Sequence, residues 1–325
     1  MTGAAGFIGS HLVECLLALD QDVAGLDDLS TGRSANLDAV ARAVGPERWR
    51  RFRFTRGDVC DAEVVRAACV ERELVLHQAG LGSIVRSLAE PVRTFEVNAL
   101  GTARLLAAAR EAGTRRVVFA SSSSVYGDAA DLPQREERTG RGLSPYAASK
   151  QSAELLAAGF SRALSFPSVA LRYFNVFGAR QDPGGPYAAV IPRWAEALLA
   201  GEAPVLEGDG LQTRDFTPVA AVVRANLLAA TRELADPAAV FNVGTGRETA
   251  LVELFERMRA ACSELGLYRG ELRPEMRPAR PGDRRASRAD LTRVRAVLGY
   301  EPPDGIDAAL CAVLRELVDS RVRAS

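Results

Sequence analysis

Three glycines near the start of the chain, in Gly3-Ala4-Ala5-Gly6-Phe7-Ile8-Gly9, constrain the fold more than any other stretch. Spaced G-x-x-G-x-x-G, they allow a tight turn, a close approach of backbone to a pyrophosphate and close packing of the next helix. That helix is expected from about Phe7 to Leu19, with its N-terminal amides turned to the phosphates. A short apolar strand follows, Val23-Ala24-Gly25-Leu26, ending in Asp27-Asp28. An acid about twenty positions beyond the glycines sits where a ribose hydroxyl pair is held. Asp27 therefore favours NAD over NADP, because its carboxylate repels a 2′-phosphate. A generic strand–helix turn with an acidic loop is the bland alternative. Only Met1 and Thr2 precede Gly3, whereas a unit of this kind needs a strand there, in the middle of its sheet. A start site set too late, or a shortened chain, is expected to leave that sheet damaged.

The next segments repeat the alternation. Arg53–Val59 and Leu74–Gly80 read as buried strands with a helix from about Ala62 to Glu71 between them. A long helix is expected over about Pro91 to Ala112, then a strand, Arg116–Ala120. Strands alternating with helices predict an α/β fold, a Rossmann-type doubly wound parallel sheet. The boundaries read as a dinucleotide-binding domain over 1–172 and a smaller mixed α/β substrate domain over 173–325. A helix at Val219–Leu234 and a strand at Val240–Val243 are expected to return to the first domain. Asp58 and Val59, at a strand end, are placed at the adenine edge. His77 is a buried structural residue or, less simply, a catalytic one.

The strand at Arg116–Ala120 runs into Ser121-Ser122-Ser123-Ser124-Val125-Tyr126-Gly127, hydroxyls at the carboxyl end of a parallel strand, where such sheets bind ligands. Then comes Ser144-Pro145-Tyr146-Ala147-Ala148-Ser149-Lys150. Four residues on a helix share a face, so the phenol and the ammonium meet. Lys and Arg together number 41, yet Lys150 is the single lysine. A planar guanidinium cannot replace a compact ammonium, so this site has resisted a drift to Arg. A hydroxyl, a Tyr and a Lys over a nicotinamide site make an acid–base device for alcohols and ketones. The ammonium lowers the phenol pKa toward neutrality, and Tyr146 takes the proton while hydride leaves the same carbon. A surface helix with a chance Tyr and Lys is the plain alternative.

Together, the glycine-rich opening, the serine run and Tyr146-x-x-x-Lys150 resemble the extended short-chain dehydrogenase/reductase family of sugar-nucleotide enzymes. The resemblance implies a catalytic set of Ser122, Tyr146 and Lys150. It implies NAD held by Gly3, Gly6, Phe7, Ile8, Gly9, Asp27, Asp58, Val59, Gln78, Ala79 and Asn98, with Tyr146 and Lys150. Dehydratases of this family place Asp-Glu after the catalytic hydroxyl residue; here Ser123 and Ser124 stand there, which leaves a 4-epimerase. Segments such as His77–Ser83 and Leu171–Gly178 are similar to bacterial UDP-N-acetylglucosamine 4-epimerases, with Gly80 and Val85 departing from the pattern. Expected at the sugar nucleotide are Gly82, Ser83, Ser122, Ser123, Ser124, Asn175, Gln181, Ala189, Arg214, Arg280, Asp283 and Ser287. Arg214 and Arg280 are the guanidinium clamps for the diphosphate. A small Ser287 leaves room for an N-acetyl group. The resemblance also implies a homodimer built on helices near 91–112 and 145–163. UDP-glucose and UDP-glucuronate epimerases, and a non-catalytic NAD-binding protein, stay open as alternatives.

Composition excludes other classes. Net charge is zero, so no basic surface marks nucleic acid as a partner. No apolar run is long enough for a membrane span. Five scattered cysteines and two histidines give no metal-type spacing, which points to no metal and to a reducing cytoplasm. The Arg/Pro-rich run Arg273–Arg285 reads as a loop over the substrate, and a last helix is expected over Gly305–Val318.

Overall fold

The computed structural model describes residues 1–184, 188–267, 272–278 and 284–324. Helix α1 (Phe7–Ala18) follows the glycine turn directly and leads to β1 (Val23–Asp27), α2 (Ser34–Trp49), β2 (Phe52–Arg56), α3 (Ala62–Cys69) and β3 (Leu74–His77). Short helices α4 (Ile84–Ala89) and α5 (Pro91–Phe95) run through a π-helical segment (Glu96–Gly101) into α6 (Thr102–Glu111). Strand β4 (Arg116–Ser122) ends in a 3-10 turn (Ser123–Tyr126); α7 (Pro145–Leu164) and β5 (Ser168–Tyr173) follow. The second half carries β6 (Val176–Phe177), α8 (Val190–Ala200), β7 (Val205–Glu207), β8 (Thr213–Arg214), β9 (Thr217–Pro218) and α9 (Val219–Thr231). It continues with β10 (Ala238–Val243), β11 (Thr249–Ala250), α10 (Leu251–Glu264), β12 (Glu275–Arg277), α11 (Thr292–Leu298) and α12 (Asp307–Ala324).

Strands β10, β5, β4 and β3 pair in that order, and β1 pairs with β2, all parallel. Thr2 lies between the two groups, bridging Leu26 of β1 and His77 of β3. The Leu26 N–H donates to the Met1 carbonyl at 2.8 Å, and the Thr2 N–H to Leu76 at 3.1 Å. The order β2-β1-Thr2-β3-β4-β5-β10 reverses direction at Thr2, and ligands of doubly wound sheets bind where the order reverses. Isolated bridges join the two groups at that position. This is the Rossmann-type α/β fold. Helices cover both faces, so the middle of its central strands is apolar; Val117, Val118 and Phe119 of β4 are all buried.

Three features differ from expectation. The helix over 91–112 is broken by the π-helical turn around Asn98. Within the run 273–285, β12 forms a strand paired with β7. The segment after the expected return also comes back to the sheet: Leu291, Val294, Leu298 and Tyr300 share one core with Phe241 and Leu171. A separate core of Phe177, Trp194, Phe216, Leu254 and Phe255 belongs to the smaller half. Among the described residues no helix is long and apolar enough to cross a membrane.

Candidate functional site

The first wall of the site is the glycine turn. Gly3 has φ +64°, and a Cβ there would sit 2.7 Å from the Ala79 nitrogen. At Gly9 a Cβ would come within 1.8 Å of the Gly3 carbonyl oxygen, so helix and turn can touch only without side chains. Gly3, Gly6, Phe7, Ile8 and Gly9 line a cleft of about 910 Å³, with Asp27, Asp58, Val59, Gln78 and Ala79 on its other sides. The Asp27 carboxylate accepts from the Ala5 and Leu29 N–H groups, each at 2.9 Å. Burial nevertheless holds its pKa above the usual range, so the acid is fastened in place and faces the cleft. Asp58 is also desolvated, but the Cys60 N–H at 2.8 Å and the Arg93 guanidinium at 2.6 Å hold its pKa below the usual carboxylate range.

The second cavity, about 290 Å³, shares Ile8, Gln78, Gly80 and Gly82 with the first. Ser122, Ser123, Tyr146 and Lys150 line it. Ser144 caps α7 by accepting from the Ala147 N–H at 3.1 Å, and Pro145 occupies its first turn. That start puts Tyr146 and Lys150 on one face. Burial raises the Tyr146 phenol pKa, and the neighbouring Ser122 side chain opposes that rise. Lys150 donates to the Ala120 carbonyl at 2.9 Å, and burial brings its pKa down to about 8. His77, below this floor, bonds Thr2 at 2.6 Å and Thr102 at 3.0 Å. Burial and the Lys150 charge push it down to about 3. Its two bonds and neutral ring make it a structural residue.

A third cavity, about 270 Å³, shares Asn175 and Val176 with the second and Ala188 and Ala189 with the first. Apolar Phe177, Trp194 and Phe216 face Arg214, Glu207 and Gln212 across it. The three cavities therefore form one bent crevice.

Several expected residues stand elsewhere. The Asn98 amide is fully engaged: its oxygen accepts from the Leu81 N–H at 2.8 Å, and its nitrogen donates to Leu81 O and Ser149 Oγ. It holds the Leu81 backbone and lines none of the three cavities, because the π-helical turn aims it inward. Gln181 is on the first cavity, not with the sugar-side groups, and donates to the Val176 carbonyl. Ser83 borders the first cavity and caps α4 with φ +87°, whereas Gly82 lines both the first and the second. Ser124 has a buried hydroxyl without a partner, and its N–H donates to Ser122 Oγ. Ser287 is buried beside Gln134, within 3.0 Å of its amide, and lines none of the three cavities. Arg280 and Asp283 lie outside the described residues.

Residues 1–244 match the model of the NAD dependent epimerase/dehydratase family. The chain belongs to this family. A UDP-glucose 4-epimerase of Mycolicibacterium smegmatis is 41% identical over 304 residues, covering 93% of this chain and 92% of that one. A UDP-N-acetylglucosamine 4-epimerase from Methanobrevibacter ruminantium M1, solved with UDP-N-acetylmuramic acid, superposes with a TM-score of 0.90 at 34% identity, over 98% and 97% of the two chains. MoeE5, solved with UDP-glucuronic acid and NAD, gives 0.82 at 34% identity, over 98% of each chain. As a family member the enzyme uses NAD, and the glycine cradle and the engaged Asp27 fit that cofactor: bare backbone would meet the diphosphate and the carboxylate would meet the ribose.

Tyr173 also lines the second cavity, and Trp194 and Phe216 form an apolar wall of the third. Tyr173 donates to Gln78 at 3.0 Å and accepts from Asn226 at 2.8 Å; Gln78 donates to Asn226 at 3.0 Å. The signal for Tyr173 was the Arg172-Tyr173-Phe174-Asn175 string. No local signal marks Asn226, one helical residue among many.

Proposed function

We propose that the protein is a UDP-sugar 4-epimerase, with UDP-N-acetylglucosamine as its foremost substrate and UDP-glucose as a second. The carrying observation is that Ser122, Tyr146 and Lys150 line one cavity, at the junction with the other two. NAD, when bound, supplies a reversible hydride acceptor. Tyr146 takes the proton of the sugar C4 hydroxyl and returns it once the ring has turned. Ser122 bonds the same oxygen and shares its developing charge. The Lys150 ammonium, one turn away, favours the phenolate against the opposing effect of burial. Asn175 stands between the sugar and the third cavity, whose Phe177, Trp194 and Phe216 suit a flat base. Arg214 and Arg280 neutralise the diphosphate.

A second reading, a uronic acid in the sugar position, is favoured by the likeness to MoeE5, which was solved with UDP-glucuronic acid. Proton NMR of the holoenzyme separates the readings. With UDP-N-acetylglucosamine, an anomeric signal of the galacto product is expected. Turnover of UDP-glucuronate alone would replace the first reading with the second, and turnover of neither by folded protein would remove both.

A homodimer accompanies this proposal. Leu88, Val92 and Leu155 on α4, α5 and α7 are 65%, 71% and 74% exposed, and these helices pack side by side. A second copy covers such a face through a four-helix contact. The five cysteines are free thiols, in keeping with a cytoplasmic enzyme.

A further inference from the structure

Below the Tyr146–Lys150 pair lies a charged cluster that the reaction itself does not use. Glu154 is one helical turn beyond Lys150 on α7, and its side chain is 10% exposed. Arg172 of β5 grips it with two bonds, Nε to Oε1 at 2.9 Å and Nη2 to Oε2 at 2.7 Å. The remaining guanidinium nitrogen of Arg172 donates to the Tyr126 hydroxyl at 3.1 Å and the Glu136 carbonyl at 3.0 Å. On the other side, the Ser121 hydroxyl donates to Glu154 Oε1 at 2.5 Å. Ser121 and Arg172 are neighbours in the β4–β5 register. Thus consecutive residues of α7's inner face hold consecutive residues of β4: Lys150 bonds Ala120, and Glu154 bonds Ser121, the residue before Ser122.

We propose that Glu154, clamped by Arg172, is a positioning residue that fixes the strand end carrying Ser122 and keeps Lys150 in its ammonium form. The proposal rests on the reading of Tyr146 and Lys150 as the reacting pair. Its physical basis is that a buried ion pair presents an oriented charge with little freedom to move. Lys150 also faces Tyr146 on its own helix, His77 of β3 and the Asn98 amide from the π-helical turn. His77 is neutral and Asn98 is an amide, so Glu154 supplies the opposing negative charge. Burial lowers the Lys150 pKa and Glu154 raises it.

Lys150 is the single lysine, so full-length holoenzyme labelled with lysine carbon-13 at Cε gives one lysine signal, whose pH titration reports this ammonium directly. In Glu154→Gln the midpoint is expected to fall by about one pH unit, and in Glu154→Asp, which keeps the charge, by a few tenths. The alkaline limb of kcat should move with the midpoint while KM for the UDP-sugar stays within about twofold. If Glu154→Gln fails to fold, Glu154→Gln with Arg172→Met removes the pair together and leaves no lone buried charge. A smaller downward shift is expected of it, because the Arg172 cation leaves with the carboxylate. Ser121→Ala should reduce kcat about tenfold without moving the titration, because it frees the strand end alone. Superimposable titrations of folded parent and Glu154→Gln would overturn the charge role, and an unchanged kcat in Ser121→Ala the strand-end role. A shifted titration with an unmoved kcat profile would support the coupling and count against Lys150 as a reacting group.

Discussion

The cofactor wall of the crevice and its sugar wall are assembled in different ways. The cofactor wall is built at the ends of strands of one parallel sheet: the Gly3–Gly9 turn after Thr2, Asp27 at the end of β1, and Gln78 and Ala79 after β3. The sugar-nucleotide wall gathers Asn175, Ala189, Trp194 and Arg214 from separate elements, joined by strands only two or three residues long. The first wall sits on a sheet buried on both faces, so its atoms are held closely; the second rests on α8 and short strands packed over a separate core. Chemistry that demands fixed geometry belongs on the rigid side, and selection of a varied ligand belongs on the adjustable side. The comparison predicts that damage on the two walls reads out in different constants.

Tyr146→Phe should give the largest effect, a fall in kcat of about a thousandfold, with bound NAD and KM nearly unchanged. Steady-state rates and the absorbance of retained cofactor check it, and a loss confined to KM would break the division. Arg214→Leu should do the reverse, raising KM for the UDP-sugar about 10- to 100-fold while kcat changes little, as expected for a lost charge-assisted bond. A pure kcat loss in that variant would put the sugar wall among the reacting groups. Leu155→Arg, on the outward face of the rigid half, should turn a dimer into a monomer by light scattering and leave the active-site constants within a fewfold.

Acid sharpens the same contrast, since both histidines brace the cofactor side. His11 joins Arg180 at 2.8 Å and the Ala179 carbonyl at 2.9 Å; burial and the Arg180 charge bring it down to about 4 against the opposing Ala179 bond, and His77 is at about 3. The unfolded chain takes up these protons near pH 6.5 and the folded protein does not. The stabilisation is therefore complete above about pH 6.5 and is lost as pH falls toward 4 and then 3, at about 1.4 kcal/mol per unit for each ring. Melts from pH 7 to 4.5 should show this slope, and His11→Gln should make it shallower; an unaltered slope would exclude His11 as its source. The smallest effect is expected of Ser287→Tyr, a few-fold drop in the preference for UDP-N-acetylglucosamine over UDP-glucose. Because Ser287 packs against Gln134, the tyrosine must displace that amide to reach the sugar. An equal loss on both substrates would remove the pocket-size argument.

By itself, the sequence determined whatever depends on spacing along one element. Glycine spacing, Asp27 at a strand end and Tyr146 four residues before Lys150 are short-range geometry, and helix and strand periods convert them into shared faces without further information. The parallel sheet and its NAD crevice follow from that alternation. Only the tertiary structure decided where Asn98, Ser287 and Gln181 point. A π-helical turn rotates Asn98 onto Leu81, and Gln134, 153 residues away in sequence, takes Ser287. It also decided that Glu154 and Arg172, ordinary charges on paper, form a buried pair beneath Lys150. Such contacts arise when β4, β5 and α7 close on one another, and burial then multiplies the weight of each charge, which no local pattern encodes.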